Sequence, residues 1–189
     1  MHRAAVLRLL RAHLPGATDP HEAAATVAVI GFVEEHADCL LRSCAPGHLT
    51  GSAWIVDAPR RRTLLTNHRK LGKWLQPGGH ADGDPDLLAV ALREAREETG
   101  LTRLRAVSSA VFDVDRHWIP ARGDTAGHWH LDLRFLIEAD REEELVLSDE
   151  SHDLMWVELA RVGILNPEES MLRLVRKTPV GAHGGRGRG

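Results

Sequence analysis

Cysteine is scarce in this chain: Cys39 and Cys44 are the only two among 189 residues. Two thiols cannot build a disulfide framework, and no second pair stands at zinc-ligand spacing, so they read as ordinary thiols of a reducing cytosol. Long apolar runs are also missing. The run Ala23 to Val33 holds eleven residues, against the roughly 20 that a membrane-spanning helix needs. The N-terminus interleaves Arg3, Arg8 and Arg11 with apolar residues and has no continuous apolar stretch before a small-residue cleavage site, which argues against a secretory leader. Net charge is only −3, too weak a field to recruit nucleic acid. No internal repeat is visible. These absences together give the expectation of a soluble, cytoplasmic protein with neither membrane nor nucleic acid as partner.

With 43% apolar residues, the chain can bury one core and carry an added helical segment. Residues 2–14 space apolar side chains for a helix ended by Pro15-Gly16, and a second helix starts at Thr18-Asp19-Pro20 and runs to about Cys39. If the apolar face of residues 23–33 is not covered internally, it is a surface for a homodimer. From Thr50 the period changes to that of strands. Segments 52–58 and 61–68 form a hairpin through Pro59, and 106–115 and 130–139 alternate as strands. Leu154 to Val157 is strand-like, and Asn166 caps a last helix to about Lys177. The expected division is a helical extension over 1–46 packed on a domain over 47–178, with a disordered Gly/Arg tail over 179–189.

Between the two halves lies QPGGHADGDPDLLAVALREAREETGL, residues 76–101. Asp84-Pro85 reads as an N-cap followed by proline at the first helical position, and Gly100 as the left-handed stop. Leu88, Ala91, Leu92, Ala95 and Thr99 make one face, and Glu94, Glu97 and Glu98 another. Carboxylates three and four residues apart repel by roughly 0.2–0.5 kcal/mol per pair, and the C-terminal end of a helix disfavours them further. A hard divalent cation over oxygen ligands, Mg2+ or Mn2+, would make that cluster favourable. For the segment taken alone, the alternative is a solvated face screened by Arg93 and Arg96.

This stretch resembles the Nudix box, the signature of the Nudix hydrolase superfamily, G-x5-E-x7-R-E-U-x-E-E-x-G-U with U apolar. Gly79 takes the first glycine, and Arg93 to Leu101 match every defined position of the second half. The first glutamate of the pattern falls on Pro85. The resemblance implies an α/β fold, a mixed sheet in an α/β/α sandwich, preceded here by the helical segment. It also implies a Mg2+-dependent enzyme that cleaves a pyrophosphate bond in a nucleoside diphosphate derivative, either a nucleoside triphosphate or a nucleotide sugar. By the same resemblance Glu97, Glu98 and the Gly78 carbonyl hold metal, Glu94 holds metal or acts as base, and Arg93 orients them. Glu150, with Asp149 behind it, is the expected carboxylate from outside the box. Pro85 leaves the support of Arg93 open, with Asp84 and Asp86 as possible substitutes. It also leaves an alternative, a Nudix-fold nucleotide-binding or regulatory module with impaired catalysis.

Other polar residues are assigned by neighbourhood. Lys70 and Lys73 lead into the box and could meet phosphates. His80, Arg122, His128 and His130, together with His117, are assigned to substrate phosphate or sugar. A zinc site from these histidines is set aside because no cysteine or H-E-x-x-H partner accompanies them. Trp118 or Trp129 could stack on a base, or simply pack.

Overall fold

The computed structural model describes residues 3–69, 71–123, 125–149 and 151–179. Helix α1 (Arg3–His13) ends in a 3-10 turn at Leu14–Gly16, and α2 (Pro20–Glu35) follows. Asp19 caps α2 by accepting from the His21 and Glu22 amides, satisfying donors that a helix start leaves open. The expected extension to Cys39 fails. His36 bonds and stacks at Phe32, and the Cys39 carbonyl is taken by the Leu49 amide, so the chain turns to enter the sheet.

Eight strands follow: β1 (Gly47–Asp57), β2 (Arg62–His68), β3 (Lys73–Leu75), β4 (Gly78–His80), β5 (Arg105–Ala106), β6 (Asp113–Ile119), β7 (His128–Ala139) and β8 (Ser151–Glu158). Helix α3 (Leu87–Thr99) separates β4 from β5, and α4 (Val162–Leu165) and α5 (Glu169–Lys177) close the described chain. The central path is β3-β2-β1-β7-β5, with β4 on β1, β6 on β7 and β8 on β2. β1 and β7 run parallel over their whole length, from Gly47↔Trp129 to Asp57↔Ala139, and the other pairs are antiparallel.

Parallel central strands must be covered on both faces, and these are. On one face Leu49, Ala53, Ile55, Leu133 and Phe135 meet Val6 and Leu10 of α1, Val29 and Val33 of α2, and Val90 and Ala91 of α3. On the other, Trp54, Val56, Leu65 and Leu136 meet Val162, Met171 and Leu174. Each fully buried Leu or Ile contributes about 1.5–3 kcal/mol. The result is a mixed sheet between helices, with the N-terminal helices sharing its core. Of residues 23–33, Ala25, Val29 and Val33 are buried in this packing, while Ala24, Val27 and Gly31 are exposed.

Three other expectations are corrected. The 106–115 segment is not one strand: Val107 and Phe112 each donate a backbone bond to β7 while Ser108 turns the chain outward between them. The connection expected over 116–129 shrinks to 120–127, because the β6–β7 ladder continues to Ile119↔His128. Asn166 does not cap α5 directly. It accepts from the Glu168 amide and donates to the Trp74 carbonyl, tying the start of α5 to β3. The short helices at Leu159–Leu165 have no counterpart in the sequence reading. Glu150, Lys70 and the tail from Val180 lie outside the described residues.

The second face also carries a buried ionic network. Arg134 of β7 bonds Asp132, Asp113 and Asp115, and Arg173 of α5 bonds Asp113 and Asp115. Lys177 joins Asp113 and the buried Glu22, which also meets His13 at 2.8 Å. Burial alone would raise the Asp113 carboxyl, but the Arg173 hydrogen bonds and the charges of Arg134, Arg173 and Lys177 hold it well below 3.8.

Candidate active site

The site is built where α3 crosses β1 and β4. Helix α3 begins two residues later than expected: Asp86, not Asp84, is its cap, with its carboxylate accepting from the Ala89 amide. Asp84 instead closes a turn by accepting from the Asp86 amide. Gly100 ends the helix in the left-handed conformation, φ 74°, as a C-cap glycine does. The buried stripe is Leu87, Val90, Ala91, Ala95, Glu98 and Thr99, so Leu88 and Leu92 are only half-buried and Glu98 belongs to the inward side. Its place there follows from a partner: Glu98 Oε1 accepts from the Gly78 amide at 2.9 Å.

The three carboxylates therefore differ. Glu98 is buried, Glu94 has a side chain 17% exposed, and Glu97 stands out at 63%. Two glycines make this proximity possible. A Cβ on Gly79 would fall 2.3 Å from the Glu94 carboxylate, and one on Gly78 would fall 2.2 Å from Ser52 Oγ. At Gly78 the contact includes the Ser52 backbone, so a larger residue must shift the loop from β1, whereas at Gly79 it would displace the Glu94 carboxylate.

The Pro85 gap is filled in an unexpected way. Neither Asp84 nor Asp86 bonds Arg93. Its guanidinium donates to the His80 carbonyl at 3.2 Å and to Glu94 Oε1 at 2.8 Å, and its Nε lies 4.0 Å from Glu97. The Glu94 bond is the main reason that Arg93 holds its proton more tightly than an ordinary arginine, with Glu97 and Asp82 adding to it. Asp82, at φ 50°, is bound in turn by Arg42 through two bonds of 2.6 and 2.7 Å. The backbone of β4 thus substitutes for the glutamate that proline replaces.

Beside this cluster Asp132 accepts from Thr50 Oγ1, Ser52 Oγ and Arg134 Nε. The assigned histidines also converge: His80, His128 and His130 gather at the start of β1 and β7 around His48, a residue the sequence reading missed. Its signal was weak because the parallel register His48↔His130 joins segments with 81 residues between them. Arg122 does not join them; it is exposed in the β6–β7 connection and pairs only its backbone with Thr125. Lys73 is engaged by Glu168. Trp118 and Trp129 pack edge to face, 5.3 Å apart, with Arg116 over Trp129.

A cleft lies at the far end of β1, around Asp57, Arg103, Arg105 and Glu138. Its charges are already matched, Arg105 and Arg60 with Glu138 and Arg103 with Asp140. The chemically informative place is the carboxylate cluster.

A carboxylate-bearing helix packed on a glycine loop at a mixed sheet defines an α/β domain with an acidic site beside the sheet. The NUDIX domain family model matches residues 48–177; the chain belongs to this family. The m7GpppN-mRNA hydrolase NUDT17 of Xenopus laevis is 31% identical over 102 residues, which cover 50% of this chain and 34% of that protein, so the chain matches about a third of that relative's length. Among solved structures, a C. elegans Ap4A hydrolase in a binary complex has a TM-score of 0.56 at 22% identity, over 68% of this chain and 93% of that one. The E. coli dihydroneopterin triphosphate pyrophosphohydrolase has a TM-score of 0.54 at 17% identity, over 71% and 96%. A NUDIX-family hydrolase from Clostridium perfringens has 0.52 at 21% identity, over 69% and 95%. These structural likenesses carry the fold.

Proposed function

We propose that the chain is a Mg2+-dependent hydrolase, with Mn2+ as a substitute, that cleaves the pyrophosphate bond of a nucleoside triphosphate or nucleotide sugar. The observation that carries this reading is the seating of Glu98 and Glu94 against the Gly78–Gly79 backbone, with Glu97 on the same helix and Arg93 beside Glu94 and Glu97. The donor set fits a hard ion: carboxylate oxygens and a backbone carbonyl, with no sulfur. Glu97, Glu98 and the Gly78 carbonyl would hold it, with Glu94 either joining them or accepting the proton of the attacking water. When bound, the ion supplies charge neutralisation of the diphosphate and polarisation of the phosphoryl oxygens.

The protein's own residues do the rest. The Gly78 amide fixes the Glu98 carboxylate. Arg93, held by the His80 carbonyl, orients Glu94. The histidine-lined end of the sheet, beside β4, is the side on which the rest of the substrate would lie, and Glu150 remains the expected acid from the loop before β8. The free, buried Cys39 and Cys44 accord with the cytoplasmic location that belongs to this reading.

Pro85 alone favours a second reading, a nucleotide-binding module without turnover. The support that Arg93 retains weighs against it. A panel of nucleoside triphosphates and nucleotide sugars, assayed with and without Mg2+ and with product identification, tests the choice. Mg2+-dependent release of a nucleoside monophosphate upholds the hydrolase; binding with no turnover of any diphosphate upholds the module.

A further inference from the structure

We infer that His48, His128 and His130 form a second metal site, separate in chemistry from the carboxylates, that takes a borderline-soft divalent ion such as Zn2+, Co2+ or Ni2+. One ligand nitrogen from each of these residues lies within 4.8 Å of the other two. The Nε2 atoms of His128 and His130 are 3.3 Å apart. Two nitrogens of a tetrahedral zinc, each about 2.0–2.1 Å from the ion, are separated by about 3.3–3.4 Å. As a hydrogen bond the same separation is long, beyond the roughly 2.7–3.2 Å usual for an N–H donor.

The protonation pattern points the same way. His128 Nδ1 is 2.9 Å from the Ala126 carbonyl. A carbonyl only accepts, so Nδ1 carries the proton and Nε2 of the neutral ring presents a lone pair. That arrangement, one ring nitrogen on a backbone carbonyl and the other free, is how metal-bound imidazoles are oriented. His48 is 4% exposed, and neither of its ring nitrogens finds a hydrogen-bond partner. The Cys44 carbonyl acts on the ring only as a weak acceptor, short of hydrogen-bond geometry. Leaving such a group unsatisfied is unfavourable, and a bound ion would remove that cost.

His80, its ring centroid 4.9 Å from those of both His48 and His130, borders the fourth side. Three imidazoles with no carboxylate among them select Zn2+, Co2+ or Ni2+ over Mg2+, so the two sites divide the available metals by ligand type. Because His80 also lends its carbonyl to Arg93, β4 belongs to both.

Co2+ binding to the full chain, followed by its visible absorption and by calorimetry with Zn2+ in competition, tests this. One ion per chain is expected, with the intense bands of a four-coordinate cobalt. Millimolar Mg2+ should not displace it, and Glu98→Gln should leave it unchanged, so its failure is distinguishable from failure of the hydrolase reading. His128→Gln and His48→Gln should each weaken binding at least tenfold, with circular dichroism reporting that both variants are folded. Since His48 is buried, the half-buried His128 provides the variant that keeps the test valid if His48→Gln does not fold. Wild-type affinity retained in a folded His128→Gln variant, or no stoichiometric Co2+ or Zn2+ in the wild type, overturns the site.

Discussion

Two groups of charges lie within one domain and are treated in opposite ways. Under the α5 face, Asp113, Asp115 and Asp132 meet Arg134, Arg173 and Lys177 in bonds the chain supplies to itself, and Lys177 reaches on to Glu22. On α3, Glu94 and Glu97 share Arg93, and Glu98 is held by the backbone amide of Gly78. A network paired side chain to side chain explains itself as architecture, since it docks α5 on β6 and β7. A cluster pinned to a glycine backbone suits, on the function proposed above, a charge that comes from outside. The difference lies in the pairing of the carboxylates and not in their number.

Breaking the paired network should have the largest effect. Asp113→Ala removes the more buried of the two acids that Arg134 and Arg173 share and is expected to cost about 3–5 kcal/mol of stability, read by urea denaturation. A loss under about 1 kcal/mol would mean that the network is idle. On α3, Glu98→Gln keeps an oxygen for the Gly78 amide but removes the charge. Turnover should fall about a hundredfold or more, close to 2.7 kcal/mol, with the melting temperature nearly unchanged. A melting temperature that falls with the activity would make Glu98 a structural residue.

A pH titration sharpens the same contrast. Asp113 is held well below 3.8 in the folded chain, so the folded state binds its proton less readily than the unfolded one. Its contribution to stability is therefore complete above 3.8 and is lost as the pH falls from there through the depressed value. The acid limb of the unfolding curve should flatten in Asp113→Asn; an unchanged limb would place the acid sensitivity elsewhere. The smallest effect is expected at Arg42. Its pair with Asp82 is solvent-exposed, and Arg42→Ala should change stability by no more than about 1 kcal/mol while Arg93 keeps its bonds to Glu94 and His80.

Local features were legible in the sequence and long-range ones were not. The Arg93–Leu101 run announces helix, C-cap and acidic cluster together because all three have spacings within a few residues. Gly78 and Gly79 could be read as a turn, but the reason that they are glycines, contact with Ser52 and Glu94, requires the fold. The cap moved from Asp84 to Asp86 because several adjacent aspartates offer the same chemistry and the Asp84 turn decides which one begins the helix. Both Asp113–Arg173 and His48–His130 depend on register between distant segments. Strand period alone gives faces and says nothing about which strands are neighbours.

The most direct test of the central claim is a titration of Mn2+ into the purified chain, followed by electron paramagnetic resonance with and without a non-hydrolysable nucleotide. The account predicts a bound ion that Mg2+ displaces, an affinity at least tenfold weaker in Glu97→Gln and Glu98→Gln, and no change in His48→Gln. Mn2+ that remains free under both conditions, or that binds the glutamine variants as well as the wild type, would contradict it.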